Sequence, residues 1–440
     1  MAKLKLNIVT LGCSKNKVDS EHLAGLLPAN MYQIRHDSDK KADVVVVNTC
    51  GFIGDAKEES IDTILSYAAA RKQGDVKQLI VMGCLSERYK KALENEIHEV
   101  DAFFGASDLD AIAKLLTATT DSNSRLVPYH YKRVLSTPRH YAYLKVSEGC
   151  DRGCSFCAIP LIRGKHKSIP IPDLVNEARY LASKGTKELI LIAQDLTYYG
   201  IDLYGERKIG QLVSQLAEIP TIKWIRLQYA YPAGFPEDLI ALMATNPKVC
   251  RYLDLPLQHI SDRVLKSMKR GLNKKQSLEL IQKIRWQIPG LAFRTTLIVG
   301  YPGETWEEFD ELYDFVKTQQ FERLGVFTYS AEEDTPAFAL TDDVPETVKN
   351  ERLERIMALQ QEISQKLNAQ RIGSVMEVIV DSEEAGYYVG RSMFDSPEVD
   401  NEVLISKEGI QMKVGGFYKV MITDASEFDL QGTAVAVSGN

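Results

Sequence analysis

Tyr141-Ala142-Tyr143-Leu144-Lys145-Val146, followed by Ser147-Glu148-Gly149-Cys150-Asp151-Arg152-Gly153-Cys154-Ser155-Phe156-Cys157, is the stretch from which the architecture can be read. The first six residues have the composition of a buried strand. Three cysteines follow within eight residues, Cys150, Cys154 and Cys157, and Gly149 and Gly153 give the loop the freedom to turn sharply. Three thiolates at this spacing can wrap one inorganic cluster; a [4Fe–4S] cube then keeps one iron open for an exogenous ligand. A structural zinc site usually takes four protein ligands, and no fourth Cys or His completes this loop, so the spacing favours iron–sulfur over zinc. A loop that leaves a strand in this way lies at the carboxyl end of a parallel sheet, where barrels of alternating strands and helices keep their active sites.

Outward from this loop the βα rhythm continues. Tyr141–Val146, Glu188–Ile192, Trp224–Gln228, Arg251–Leu255, Phe293–Val299 and Leu324–Thr328 are predicted strands separated by helices. Six βα units fall short of the eight that close a barrel, so a partial (β/α)6 barrel with a lateral opening is expected. Upstream, Leu6–Thr10, Val44–Val47 and Leu79–Met82 read as parallel strands, each followed at once by a cysteine: Cys13, Cys50 and Cys84. Three cysteines at the carboxyl edge of one open α/β sheet can converge, and that edge is where such sheets bind ligands. Downstream of Leu367 helical periodicity stops, and short apolar runs at Val375–Val380, Tyr387–Val389, Val403–Ile405, Tyr418–Ile422 and Ala434–Val437 predict a small antiparallel β-barrel. The expected fold class is therefore α/β with an added β-barrel. Its parts are an N-terminal α/β domain over 1–117, a linker over 118–137, the partial barrel over 138–368 and the small barrel over 369–440. The amphipathic run from Val348 to Leu367 reads as a connecting helix, and Lys266-Ser267-Met268-Lys269-Arg270 as a solvated basic face.

The composition, 45% apolar and 26% charged over 440 residues, is that of a soluble globular protein. No apolar run approaches the roughly 20 residues of a membrane-spanning helix, and the N-terminus has no signal-peptide core, so a cytoplasmic protein without membrane partners is expected. Seven cysteines in such a compartment are metal ligands or redox groups rather than disulfides. They divide into two triads and Cys250, which opens an apolar strand and reads as a core position. The net charge of −7 is concentrated in the tail: Ala369 to Asn440 holds five Lys or Arg against twelve Asp or Glu, and the rest of the chain is balanced.

The pattern Cys-x-x-x-Cys-x-aromatic-Cys, with Phe156 as the aromatic, resembles the signature of radical S-adenosylmethionine enzymes. In that superfamily the open iron chelates S-adenosylmethionine, and an electron from the cluster cleaves it to a 5′-deoxyadenosyl radical. With the N-terminal motifs Leu11-Gly12-Cys13-Ser14-Lys15-Asn16, Asn48-Thr49-Cys50-Gly51-Phe52-Ile53 and Met82-Gly83-Cys84, the chain resembles the methylthiotransferases over essentially its full length. The resemblance implies two [4Fe–4S] clusters, one on Cys13, Cys50 and Cys84 that carries the sulfur to be inserted and one on Cys150, Cys154 and Cys157. It also implies a tail like the TRAM module. Phe156, Gln194 and Gly300 are the implied contacts to S-adenosylmethionine; His259 reads as a structural histidine.

Two branches of the methylthiotransferases modify an adenosine of transfer RNA or an aspartate of small-subunit ribosomal protein S-twelve. An acidic tail repels RNA and attracts a basic protein, which argues against RNA binding by the tail. Asn48–Ile53, Glu148–Arg152, Ala193-Gln194-Asp195, Tyr229–Pro232 and Tyr388–Arg391 resemble the ribosomal-protein branch. The implied reaction places a methylthio group on the β-carbon of the aspartate, with an electron donor of flavodoxin or ferredoxin type as a further partner. The alternatives are the transfer RNA branch and a non-catalytic iron–sulfur or zinc protein that binds ribosomes.

Overall fold

Val44-Val45-Val46-Val47 is apolar without alternation because its strand is covered on both faces, as parallel sheets require. The computed structural model describes residues 3–117, 133–408 and 410–435. Its first sheet has five parallel strands, β1 (Leu4–Thr10), β2 (Tyr32–His36), β3 (Val44–Thr49), β4 (Gln78–Gly83) and β5 (Ala102–Phe103), in the order β2-β1-β3-β4-β5. Helices Ser14–Leu26 and Leu109–Thr117 cover one face and helices Gly54–Lys72 and Cys84–Glu96 the other. The chain moves from β1 outward to β2 and then back past β1 to β3. The switch point between β1 and β3 is where an open α/β sheet forms its ligand crevice.

The second sheet holds β6 (Tyr141–Lys145), β7 (Glu188–Ile192), β8 (Trp224–Leu227), β9 (Val249–Asp254), β10 (Ala292–Val299) and β11 (Arg323–Thr328), parallel and in sequential order. Sequential right-handed βα units curl a sheet toward a barrel, and six leave it open. The helix Glu346–Ala369 does more than connect: Ile356, Leu359 and Ile363 join the largest apolar core, beside β11 at the open side of the sheet. The expected connecting role is corrected accordingly. Cys250 is fully buried with Trp224, Tyr252 and Ala292, a core position as expected.

The C-terminal unit is a closed barrel of β12 (Val375–Glu383), β13 (Tyr387–Ser392), β14 (Val403–Ser406), β15 (Phe417–Ala425) and β16 (Leu430–Ala434), in the order β12-β13-β14-β16-β15. Four of its pairings are antiparallel, but β14 and β16 pair in parallel because β15 has already crossed to the far side next to β12. The barrel is thus not antiparallel throughout. Its last strand is Leu430–Ala434 and so ends where the expected strand Ala434–Val437 begins, a correction of that expectation; the final two residues of that run lie outside the described residues. Most of the expected linker, residues 118–132, also lies outside them. Arg133 is described and is buried between Glu21 (2.6 Å) and Glu177 (2.8 Å). Among the described residues no helix is long and apolar enough to cross a membrane.

The C-terminal barrel is fastened to the partial barrel by buried charge. Glu188, with no exposed surface, holds Arg226 at 2.8 Å and Arg391 at 2.8 Å. Asp395 pairs with Arg323, and Tyr252 donates to Asp400 at 2.7 Å. Such a cluster is strongly destabilised by removal of one partner, because the others stay buried without a counter-charge. Glu188→Gln is expected to lower the unfolding free energy by about 3–5 kcal/mol, read from the denaturant midpoint; a loss under about 1 kcal/mol would mean that the two arginines are compensated elsewhere.

Candidate active site

Cys13 precedes the helix Ser14–Leu26 as its N-cap, Cys50 follows β3, and Cys84 opens the helix Cys84–Glu96. All three sit in βα turns at the carboxyl edge of the first sheet. Gly12 is what lets them close up: it has φ +87°, and a Cβ there would stand 2.7 Å from Cys50 Cβ and 2.9 Å from its sulfur. Ser60 clamps the Cys50 backbone, accepting from its N–H at 3.0 Å and donating to its carbonyl at 2.9 Å. Asn16 donates to the Leu11 and Thr49 carbonyls (2.8 and 3.1 Å), tying the first turn to the second.

The Cys150 loop is held with similar economy. Gly149 has φ +75° and passes so close to the Lys165 carbonyl that a Cβ would lie 2.1 Å away. Gly153, by contrast, has an unremarkable φ and open space around it, so the freedom expected there is not used. Ser155 anchors the loop, donating to the Met268 carbonyl through its N–H at 3.1 Å and to the Ser267 carbonyl through its hydroxyl at 2.7 Å. The Cys154 sulfur receives a hydrogen bond from Arg270 Nη1 at 3.2 Å. The basic run containing Arg270 is therefore not wholly solvated. Its helix ends at Ser267, Lys269 adopts a left-handed turn, and the chain delivers Arg270 inward.

Both triads line one cavity of about 530 Å³, together with Lys15, Arg152, Phe156, Arg163, Gln194, Tyr229, Tyr231 and Arg270. The two sheets present their carboxyl edges to each other across it. Arg163 joins the sides: it donates to Asp19 (2.8 Å) and Asn16 (2.6 Å) on the first unit, to Glu148 (3.3 Å) on its own, and to the Cys84 sulfur at 3.3 Å. Burial alone would push the Glu148 carboxyl up, but Lys145 and Arg163 hold it well below the usual carboxylate range. Burial pushes the Cys50 and Cys157 thiols up to about 12 and Cys150 to about 11. Burial likewise raises Cys84. Among the described residues no group of three or more Cys, His, Asp or Glu is gathered around a single metal ion. A four-iron cube spreads its thiolates more widely than one ion does, and two sets of three soft sulfur donors suit iron–sulfur ligation.

Three comparisons bear on this arrangement. The uncharacterized protein family UPF0004 matches residues 5–105, the radical SAM superfamily residues 144–316 and the TRAM domain residues 372–435. Ribosomal protein uS12 methylthiotransferase RimO of Christiangramia forsetii is 52% identical over 438 residues, covering 100% of this chain and 96% of the relative. The protein of the same name from Cytophaga hutchinsonii is 52% identical over 434 residues, covering 98% of each. The chain belongs to the RimO family. Among solved structures, the radical S-adenosylmethionine methyltransferase TsrM from Kitasatospora setae is similar with a TM-score of 0.55 and 15% identity, covering 77% of this chain and 74% of that one. That likeness shows the fold alone. As a RimO-family member with a radical SAM domain, the chain is an enzyme of iron–sulfur and S-adenosylmethionine chemistry.

Of the residues singled out in the sequence, the six cysteines, Phe156 and Gln194 are brought together at the cavity of this RimO-family chain. Gln194 donates to Glu148 at 2.6 Å, while its buried carbonyl oxygen has no partner. Gly300 is elsewhere, with φ +71° and its open side filled by the Lys349 stem, and is not among the lining residues. His259 is fully buried, its Nδ1 accepting from the Ser261 N–H at 3.0 Å and its Nε2 without a hydrogen-bond partner among the described residues. Sequence reading missed Lys15, Arg163, Tyr231 and Arg270 as site residues; the only signal was that Lys15 sits inside the Cys13 motif and Tyr231 in the quoted Tyr229–Pro232 segment. Because the thiolate is both nucleophile and metal ligand, the raised thiols of metal-free protein should react slowly. Iodoacetamide labelling of Cys50, Cys150 and Cys157 is expected to lag free cysteine (about 8.5) at neutral pH. It should still be climbing at pH about 10; a plateau below pH about 9 would mean the thiols are not raised.

Proposed function

We propose that this chain methylthiolates the β-carbon of an aspartate of ribosomal protein uS12, the small-subunit protein S-twelve. In this reading Cys13, Cys50 and Cys84 hold one [4Fe–4S] cluster, and Cys150, Cys154 and Cys157 hold another that binds S-adenosylmethionine. The observation that carries it is the single cavity lined by both triads: group insertion needs the atom-abstracting and the sulfur-bearing sites within reach of one substrate carbon. The clusters, when bound, supply an open iron on each side, one for reductive cleavage of S-adenosylmethionine and one for the sulfur to be transferred.

The chain's own residues prepare the place. Arg163 and Arg270 donate to the Cys84 and Cys154 sulfurs, and hydrogen bonds to ligating sulfur are a lever on cluster potential. Arg152, paired with Asp195 at 2.7 Å and lying 4.1 Å from the Tyr231 ring centroid, closes the wall beside Cys150. Phe52, Ile53, Phe156 and Phe327 make one side apolar, which limits water where a radical would form. Phe327 is half-exposed on the last strand of the open sheet and lines the cavity, so it stands where the cavity meets the surface. The domain limits 1–117, 138–368 and 369–440 and a flavodoxin- or ferredoxin-type electron donor are parts of the same proposal.

The test is anaerobic reconstitution and incubation with S-adenosylmethionine, reductant, sulfide and uS12, followed by mass spectrometry. The wild-type enzyme should add one methylthio group to an aspartate. Cys154→Ala should release no deoxyadenosine, whereas Cys50→Ala should release it and leave uS12 unmodified. A Cys50→Ala enzyme that still methylthiolates uS12 would sink the two-site reading, and modification of transfer RNA instead would replace the substrate.

A further inference from the structure

Lys15 lies two residues after Cys13, in the first turn of the helix Ser14–Leu26, and lines the shared cavity. It is only 8% exposed. Its ammonium nitrogen stands 2.9 Å from the centroid of the Tyr229 ring, across the junction between the first unit and the partial barrel. The other cations of the cavity each have a carboxylate, sulfur or carbonyl partner, although Arg152 Nη2 and Arg270 Nε have no hydrogen-bond partner among the described residues. Arg152 belongs to Asp195, Arg163 to Asp19 and Glu148, and Arg270 to the Cys154 sulfur and the Pro256 carbonyl. Among the described residues Lys15 forms no ion pair and no side-chain hydrogen bond; its partner is an aromatic face. The acid that feels its charge, Asp254, already accepts from the Tyr229 N–H at 3.0 Å and faces Arg294 at 3.7 Å. Burying an ammonium is costly unless it is paired, and a ring face recovers only part of that cost.

Tyr229 adds an independent observation. It has φ +63°, a left-handed conformation that is strained for an aromatic residue. The strain is fixed from both sides: the Tyr229 N–H donates to Asp254, and its carbonyl accepts from the Leu196 N–H at 3.0 Å. Strain of this kind persists where the surroundings over-determine it, and it clusters at ligand clamps. Here it sets a ring beneath an ammonium that faces an open cavity between two cysteine triads.

We infer that Lys15 grips the substrate: its ammonium receives the side-chain carboxylate of the target aspartate and holds the adjacent β-carbon in the cavity between the triads. The inference rests on the substrate reading given above. The carboxylate is one bond from the carbon that reacts, so a charge-assisted hydrogen bond to it fixes that carbon. The same ammonium is a specificity determinant, because a neutral purine offers it no counter-charge and leaves it buried and unpaired.

The experiment uses reconstituted full-length enzyme as wild type, Lys15→Met and Lys15→Arg, with uS12 carrying its native aspartate or the asparagine replacement. Three quantities are read: iron content, deoxyadenosine release without uS12, and binding of each uS12 form. Wild type should bind the aspartate form about 10- to 100-fold more tightly than the asparagine form, the range a charged hydrogen bond supplies. Lys15→Met should lose that discrimination and keep both its iron, about eight per chain, and its deoxyadenosine release. Lys15→Arg should retain part of the preference. Unchanged discrimination in Lys15→Met overturns the assignment. So does a fall in iron, or in deoxyadenosine release without uS12, confined to Lys15→Met, since the ammonium would then serve a cluster or the cofactor. A wild-type enzyme that releases deoxyadenosine but leaves the uS12 aspartate unmodified would instead remove the substrate reading, and this inference with it.

Discussion

The buried guanidinium of Arg163 is the contact on which the rest of the site depends. It arises six residues after Cys157 and reaches Asn16 and Asp19 of the helix Ser14–Leu26 and Cys84 at the start of the helix Cys84–Glu96, both in the first unit. Two parallel sheets each gather cysteines at their carboxyl edges by local geometry alone. Nothing local makes those edges face each other. A planar donor with several fixed N–H directions does, because it is satisfied only when both units stand in one orientation. Lys145, donating to Asp19 and Glu148, and Arg133, between Glu21 and Glu177, repeat the device at the same junction.

Buried ion pairs are weak evidence of stability, since desolvation offsets most of their attraction. They are directional, however, where apolar contact is not. At a junction that must align two sets of thiols across a cavity, orientation is the scarce quantity. The same logic recurs at the C-terminal barrel, where Asp381, Asp395 and Asp400 turn inward to His140, Arg391, Arg323 and Arg294. Part of the tail's acidity is therefore internal wiring. The acids left outward, Glu377, Glu384, Glu402, Glu408 and Asp424 among them, still outnumber Lys407, Lys413 and Lys419, so the exposed surface of this barrel keeps a negative sign.

What could be read from the chain follows from which interactions are local. The strands β3, β4 and β6 to β8 are apolar and buried on both faces, so their composition announces them, and β9 to β11, less fully covered, still carry apolar runs. β2 and β5 escaped because an edge strand that is half-exposed, and one of only two residues, carry little hydrophobic pattern. The cysteine triads were legible because each sits at a repeated topological position, and Phe156 because it belongs to a spaced motif. Arg270 was not, because a left-handed turn at Lys269 reverses the face its sequence neighbours imply. Arg163 was not, because Asp19 and Asn16, the partners that tie it to the first unit, lie more than 140 residues away. Gly300 is a different case: a strand-end glycine suits a ligand, and here a Cβ on it would meet the Lys349 stem of the long helix.

The composite character of the cavity has a consequence for how the chain must work. Cys13, Cys50, Cys84 and Lys15 come from one unit; Cys150, Cys154, Cys157, Tyr229 and Arg270 come from the other. Neither unit alone encloses the space, and neither alone places the Lys15 ammonium over an aromatic face. A substrate carbon held there is within reach of both triads only while the junction is intact. The buried charges of that junction therefore fix how the two triads face each other, while each sheet is held by an apolar core of its own.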